Sequence, residues 1–382
     1  MKHPKRYRRF WHNVYPFASR LLHHKFDMSA ETLNLPGPAL IICNHVSNWD
    51  PLFVGLCFPQ DQLSFVASEH LLRQGLVTKV LQSIVSIIAR PKASGSTQTV
   101  ITCMKELKAG NSVCLFAEGD ATWNGVTQEV FPATGKMARA TGAYLVTMRS
   151  ERLYLADPRW AHNLRKAPFS IGPVHVYSPE ELKAMEPSEI TDAINRDIFY
   201  DIWEEQRREP VKISTKKRAD RLESALFMCP GCHGISTLKG EDDRISCSCG
   251  FETRLNEYGF FEPAEPFATI AEWDTFQHEA LKKGDFKHVG DSCFSDKSGK
   301  LIEIQNGHRS LSRQRGVLTC YEDRISVGNR EFLFSDISDM SMVKTNRLLF
   351  SVGHEYYEIK VPKSTNVRKY LAVWRERHGN PM

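Results

Sequence analysis

With 382 residues, 41% of them hydrophobic and 25% charged, the composition is that of a folded chain of two or three domains. Arg73, Gln74, Lys79 and Gln82 interrupt the most apolar stretch, so no run approaches the roughly 20 residues that a membrane-spanning helix needs. The net charge of +5 is modest and unevenly placed, and ten cysteines without a secretory signal suit a reducing interior better than a disulfide framework, so a cytoplasmic protein is expected.

Residues 1–30 form a basic amphipathic segment. Lys2, Lys5, Arg6, Arg8, Arg9, Arg20 and Lys25 all precede the first acidic residue, Asp27. Phe10, Trp11, Val14, Tyr15, Phe17, Leu21 and Leu22 alternate with them at helical spacing. Such a helix either lies in the headgroup region of an anionic membrane, on the inner face of the bilayer, or packs on its own domain. From Pro38 to Tyr177, short apolar runs at 38–43, 62–67, 84–89, 112–117, 143–149 and 171–177 read as strands. They alternate with helical patterns at 51–58, 69–82, 96–109 and 134–141, and two more helices follow at 179–186 and 188–208. This is an α/β class, a mixed sheet flanked by helices. Ser178, Pro179 and Glu181 supply a capping box for the first of the final pair.

At the end of the first of these strands stands Asn44-His45-Val46-Ser47-Asn48-Trp49-Asp50-Pro51. In one continuous helix, His45 and Asp50 would lie roughly 140° apart and could not pair. Ser47 and Asn48 favour a turn, which brings them together. A neutral imidazole can take a proton from a hydroxyl if a carboxylate orients its other nitrogen and stabilises the charge that develops. The other reading of the same residues makes Asp50 an N-cap and His45 a polar strand-end residue. Further along, Arg90 ends a strand beside Pro91, and Phe116-Ala117-Glu118-Gly119-Asp120 ends another in a glycine turn. Ligands bind at the carboxyl ends of such strands, where His45, Arg90 and Glu118 would gather. Arg90 suits a phosphate and Glu118 a polyol or a basic neighbour, although either residue could form a surface ion pair.

The blocks at 44–50, Ile87-Ile88-Ala89-Arg90, 116–119 and Leu145-Val146-Thr147-Met148 together resemble the glycerolipid acyltransferase family, the 1-acyl-glycerol-3-phosphate type included, over roughly residues 30–205. The resemblance implies an acyltransferase domain at 31–208. It would move an acyl group from acyl-CoA or acyl-carrier protein to the hydroxyl of a lysophospholipid or glycerol phosphate. His45 would be the general base and Asp50 its partner; Asn44, Arg90, Glu118, Gly119 and Lys136 would make up the substrate site, with Asn44 or a backbone amide as oxyanion donor. This chain departs from the family where Ala117 replaces a proline and Asp120-Ala121 replace Thr-Arg. An acid beside the acceptor pocket would repel a phosphomonoester, unless Lys136, Arg139 or Arg149 compensates. Thr147-Met148-Arg149 also departs from the family, and 154–160 looks like a bacterial subgroup with an added zinc-binding segment. The departures leave a second reading open, a non-catalytic lipid- or protein-binding adaptor on the same scaffold.

Residues 209–225 read as a linker and 226–262 as a zinc ribbon. Cys229-Pro230-Gly231-Cys232, followed after 14 intervening residues by Cys247-Ser248-Cys249, offers four thiolates for a closed, structural Zn2+, with His233 as a substitute ligand for the tighter second pair; unmetallated cysteines are the other reading. Glu241, Asp242, Asp243 and Glu252 flank it, so a protein partner is expected there and nucleic acid is not. A helical connector at 263–292, with its helix at 268–283, leads to a β-rich region at 293–382. Its strands are Val317–Tyr321, Arg324–Val327, Glu331–Phe334, Leu348–Val352 and Tyr356–Val361, and a helix closes it from about Ser364 to Arg377. That order is similar to pleckstrin-homology-like domains.

Overall fold

The computed structural model describes residues 5–60, 63–68, 86–90, 97–305 and 309–378, which form two compact units. The first comprises the chain to Arg159 together with Asn163–Ser214. Its sheet has seven strands: β1 (Met28–Ala30), β2 (Ala39–Cys43), β3 (Ser64–Ser68), β4 (Ser86–Arg90), β5 (Val113–Leu115), β6 (Tyr144–Glu151) and β7 (Phe169–Tyr177). The order is β1-β7-β6-β2-β5-β3-β4. β2 pairs in parallel with β5 and β6, and β3 with β4 and β5, whereas β7 runs antiparallel to β6. The sheet is therefore mixed. The carboxyl ends of β2, β4, β5 and β6 share one edge of the sheet.

β2 is buried along its whole length, as an apolar run covered on both faces must be. Leu40, Ile42, Val113 and Leu145 of the sheet pack with Met137, Ile190, Ile194 and Ile198 from helices Ala133–Thr141 and Pro187–Ile198. Truncating one of these Ile or Leu side chains to Ala costs about 2–5 kcal/mol, mostly in lost burial and an unfilled cavity. The helical pattern at 188–208 resolves into two helices, Pro187–Ile198 and Ile202–Arg208. Phe199 leaves helical geometry, and the Asp201 carboxylate accepts from the amides of Trp203 and Glu204, so a new N-terminus starts inside the continuous apolar pattern. The helix expected at 69–82 lies outside the described residues.

The N-terminal helix Lys5–Lys25 keeps Pro16 within it. It is fastened to the segment after β2: Trp11 Nε1 donates to Phe58 O at 3.3 Å and Tyr15 OH to Leu56 O at 2.8 Å. Phe17 and Leu21 remain exposed. Among the described residues, no helix is long and apolar enough to cross a membrane.

The second unit contains two antiparallel sheets. The smaller holds β8 (Leu238–Glu241), β9 (Arg244–Cys247), β10 (Glu252–Leu255) and β11 (Phe261–Glu262). After helix Ile270–Lys283 come β12 (Phe294–Gln305), β13 (Arg309–Cys320), β14 (Arg324–Val327), β15 (Arg330–Leu333), β16 (Ile337–Val343), β17 (Arg347–Val352) and β18 (Glu355–Lys360). They form one sheet in the order β15-β14-β13-β12-β18-β17-β16, and helix Arg368–His378 follows. Arg368 makes a two-pronged pair with Asp274 at 2.8 and 3.0 Å, joining this helix to Ile270–Lys283. Burial would raise the Asp274 pKa, but the guanidinium overrides it and holds the carboxylate below its ordinary value.

Candidate active site

The loop after β2 is built around one carboxylate. Asp50 opens helix Asp50–Leu56 and is fully buried. Its Oδ2 accepts from the amides of Val46 at 2.7 Å and Ser47 at 3.0 Å, and it lies 2.7 Å from His45 Nδ1. Trp49, not Asp50, occupies the N-cap position, and no side chain caps it. Asp50 thus reaches back into the loop rather than forward along the helix. Its Oδ1 is buried and has no hydrogen-bond partner among the described residues, so the charge is satisfied on the His45 side alone. A proton on Nδ1 is assigned from this contact, which leaves the Nε2 lone pair directed away from Asp50. The imidazole stacks on Phe116, with ring centres 4.5 Å apart, and its side chain is 24% exposed.

The turn after β5 grips the His45 backbone from both ends. Glu118 accepts from His45 N at 2.5 Å through Oε1 and from Gln128 N at 2.7 Å through Oε2, while Thr122 N donates to His45 O at 2.9 Å. Burial pushes the Glu118 pKa up to about 7, against the opposing pull of these two amides. Gly119 adopts φ +84°, and a Cβ there would meet Phe131 Cζ at 2.6 Å; the turn needs glycine on both counts. The Arg90 guanidinium, exposed at the end of β4, lies 5.3 Å above the same Phe131 ring.

Not every expected site residue joins this group. The Asn44 amide is committed to β6, donating to Ser150 O at 3.0 Å and accepting from Ser150 N at 2.7 Å. It clamps two strand ends. Glu118, expected to meet a polyol or a basic neighbour, has both carboxylate oxygens turned to backbone amides. Lys136 lies exposed on helix Ala133–Thr141 and makes none of these contacts. Arg139 pairs with Glu186 and Arg149 with Glu151.

Two residues of the 154–160 segment, to neither of which the sequence assigns a role of its own, complete the framework. Asp157 accepts a hydrogen bond from Ser47 Oγ, which itself accepts from Trp49 N at 3.1 Å. Burial raises the Asp157 pKa. Arg159 pairs with Asp120, donates to Ala121 O at 3.0 Å and lies 4.3 Å over the Trp123 ring. A cavity of about 10 Å³ touches Asn44, His45, Thr122, Ser150, Arg152 and Tyr200; it has room for about one water and none for a lipid.

In the second unit, the sulfurs of Cys229, Cys232, Cys247 and Cys249 lie within 4.8 Å of one another. The pairs Cys229–Cys249 and Cys232–Cys247 are 3.7 and 3.8 Å apart. A tetrahedron with metal–sulfur bonds of about 2.3 Å has edges of about 3.8 Å, so the four sulfurs fit around one metal ion. His233 instead turns to Asp285, with Nδ1 3.0 Å from Oδ1.

An imidazole backed by a buried carboxylate at the carboxyl edge of a mixed sheet is equipped to deprotonate a hydroxyl. Residues 26–151 match the family model described as Acyltransferase. The match marks an acyltransferase domain over about a third of the chain. Among solved structures, the 1-acyl-sn-glycerophosphate (LPA) acyltransferase PlsC from Thermotoga maritima is similar at 16% identity and a TM-score of 0.43, over 52% of this chain and 82% of that one. The N-terminal PH domain of human ARAP2 protein matches 20% of this chain and 74% of its own, at 17% identity and a TM-score of 0.17. The family model, and not these overlays, classifies the domain. No curated protein matches the sequence.

Proposed function

We propose that this chain is an O-acyltransferase that moves an acyl group from a thioester of coenzyme A or acyl-carrier protein to the hydroxyl of a lysophospholipid or glycerol phosphate. The observation that carries this is the 2.7 Å contact between His45 Nδ1 and the fully buried Asp50. His45 Nε2 takes the acceptor proton as the oxygen attacks the thioester carbonyl. The new C–O bond forms, the C–S bond breaks, and the proton passes from Nε2 to the departing thiolate. General-base action of this kind supplies about 10²–10⁴-fold, and positioning with charge stabilisation supplies the rest. Arg90 meets the acceptor phosphate in this reading, which its position over the Phe131 ring beside Gly119 supports.

The four cysteines hold a structural zinc ion, since a closed set of thiolates leaves no open position for catalysis. The exposed Phe17 and Leu21, with Arg20 and Lys25 on the same helix, support attachment of the enzyme to the inner face of an anionic membrane. Acyl-thioester consumption with a panel of lysophospholipids tests the enzymatic reading. His45→Ala is expected to abolish it; wild type and variant equally inactive on every acceptor, with lipid binding intact, would instead favour an adaptor. Phe17→Ser/Leu21→Ser is expected to weaken binding to anionic liposomes, and unchanged binding would remove the attachment.

A further inference from the structure

Asp120 lies between Glu118 and Thr122, both of which hold the His45 backbone, so it belongs to the turn that supports the proposed base. Its charge is answered from within the chain. Arg159 pairs with it, and the guanidinium is held in place by the Ala121 carbonyl at 3.0 Å and the Trp123 ring at 4.3 Å. The pair is open on one side: the Arg159 side chain is 15% exposed and that of Asp120 26%. A terminal phosphate, which carries close to two negative charges, gains nothing from a guanidinium already committed to a carboxylate. To bind there it would have to draw Arg159 off Asp120, Ala121 and Trp123, leaving Asp120 facing the dianion uncompensated. Hydroxyl groups suit the pair as it stands, because each can donate to the carboxylate and accept from a guanidinium N–H. Arg90 is then left to meet a single phosphate charge.

We infer that the Asp120–Arg159 pair selects the acceptor head group, favouring a lysophospholipid whose phosphodiester carries a polyol over one ending in a phosphomonoester. The inference rests on the acyltransferase reading above. The test uses the full-length protein, one acyl-CoA and two acceptors with the same acyl chain, 1-acylglycerol-3-phosphoglycerol and 1-acylglycerol 3-phosphate. Wild type is expected to show the higher kcat/KM on the diester. Asp120→Asn releases the guanidinium, and the ratio should move toward the phosphomonoester by about tenfold or more, the worth of a charge-assisted hydrogen bond. Adding Arg159→Gln should cancel that gain. Asp120→Glu keeps the charge and should keep the wild-type preference. An unmoved ratio in Asp120→Asn overturns the inference while leaving acyl transfer intact, and so does an equal shift in Asp120→Glu, which would mark mere damage to the turn. Wild type that consumes acyl-CoA with neither acceptor, like His45→Ala, removes the underlying reading and this one with it.

Discussion

Replacing Asp50 by Asn removes a charge and nearly preserves a shape. The Asn carbonyl can occupy the Oδ2 position and still accept from Val46 N, Ser47 N and His45 Nδ1. Its NH₂ then falls where Oδ1 is buried without a partner among the described residues, a burial cost of about 1–3 kcal/mol. The larger effect is on the charged ring. When His45 takes the acceptor proton, its positive charge sits beside a neutral amide rather than a carboxylate. At a charge separation of about 4 Å and an effective dielectric of about 20 the lost attraction is about 4 kcal/mol, or roughly 10³ in rate. Thiol release from acyl-CoA, followed by a colorimetric thiol reagent at saturating acceptor, should show kcat lower by about that factor, with the acceptor KM little changed. Thermal unfolding of the same preparations separates this from the folding cost. A folded Asp50→Asn variant within about threefold of wild-type kcat would refute the claim that the carboxylate stabilises a charged His45.

Other outcomes follow from the same geometry. Because Glu118 titrates near 7 when folded against an ordinary 4.5, the folded chain holds a proton that the unfolded chain has lost between those values. Its contribution is therefore fully present below pH 4.5 and is lost as pH rises to about 7, by about 3 kcal/mol; denaturant titrations should show this fall in wild type and not in Glu118→Gln. Gly119→Ala should cost about 3 kcal/mol, from the φ of +84° and the clash with Phe131; Gly119→Ala/Phe131→Leu should recover the clash but not the φ, as read by melting temperature. Protein purified without chelator should contain about one zinc per chain, and strong chelation or Cys249→Ser should lower the stability of the second unit; metal content well below one would remove the site.

What the sequence conveyed about the site was local. Pro38 to Cys43 announces a doubly buried strand, and the polar turn after it brings a histidine and an aspartate together within six residues. What it withheld depends on contacts far along the chain. Asp157 meets Ser47 across 110 positions, and Arg159 reaches back to Asp120; no spacing rule marks either. The Asn44 amide satisfies the end of β6, which its place beside His45 does not announce. β1 has only three residues and exists through its pairing with β7, so it carries no periodicity of its own. The break before Asp201 was readable in its capping chemistry but masked by an unbroken amphipathic pattern. β12 contains Asp296, Lys297, Ser298, Gly299 and Lys300, a polar run that composition assigns to a loop and that β13 holds in the strand, β18 joining only from Lys300 onward.

The short helix that begins with Asp50 has its other end tied down by Trp11 and Tyr15. Removing the leading helix of the chain would thus untether the scaffold of the histidine loop as well as strip away any lipid-facing surface. Loss of turnover in a truncated protein would report both losses mixed together. Outward substitutions at Phe17 and Leu21 spare those two tethers, and they are the cleaner way to ask what the surface does.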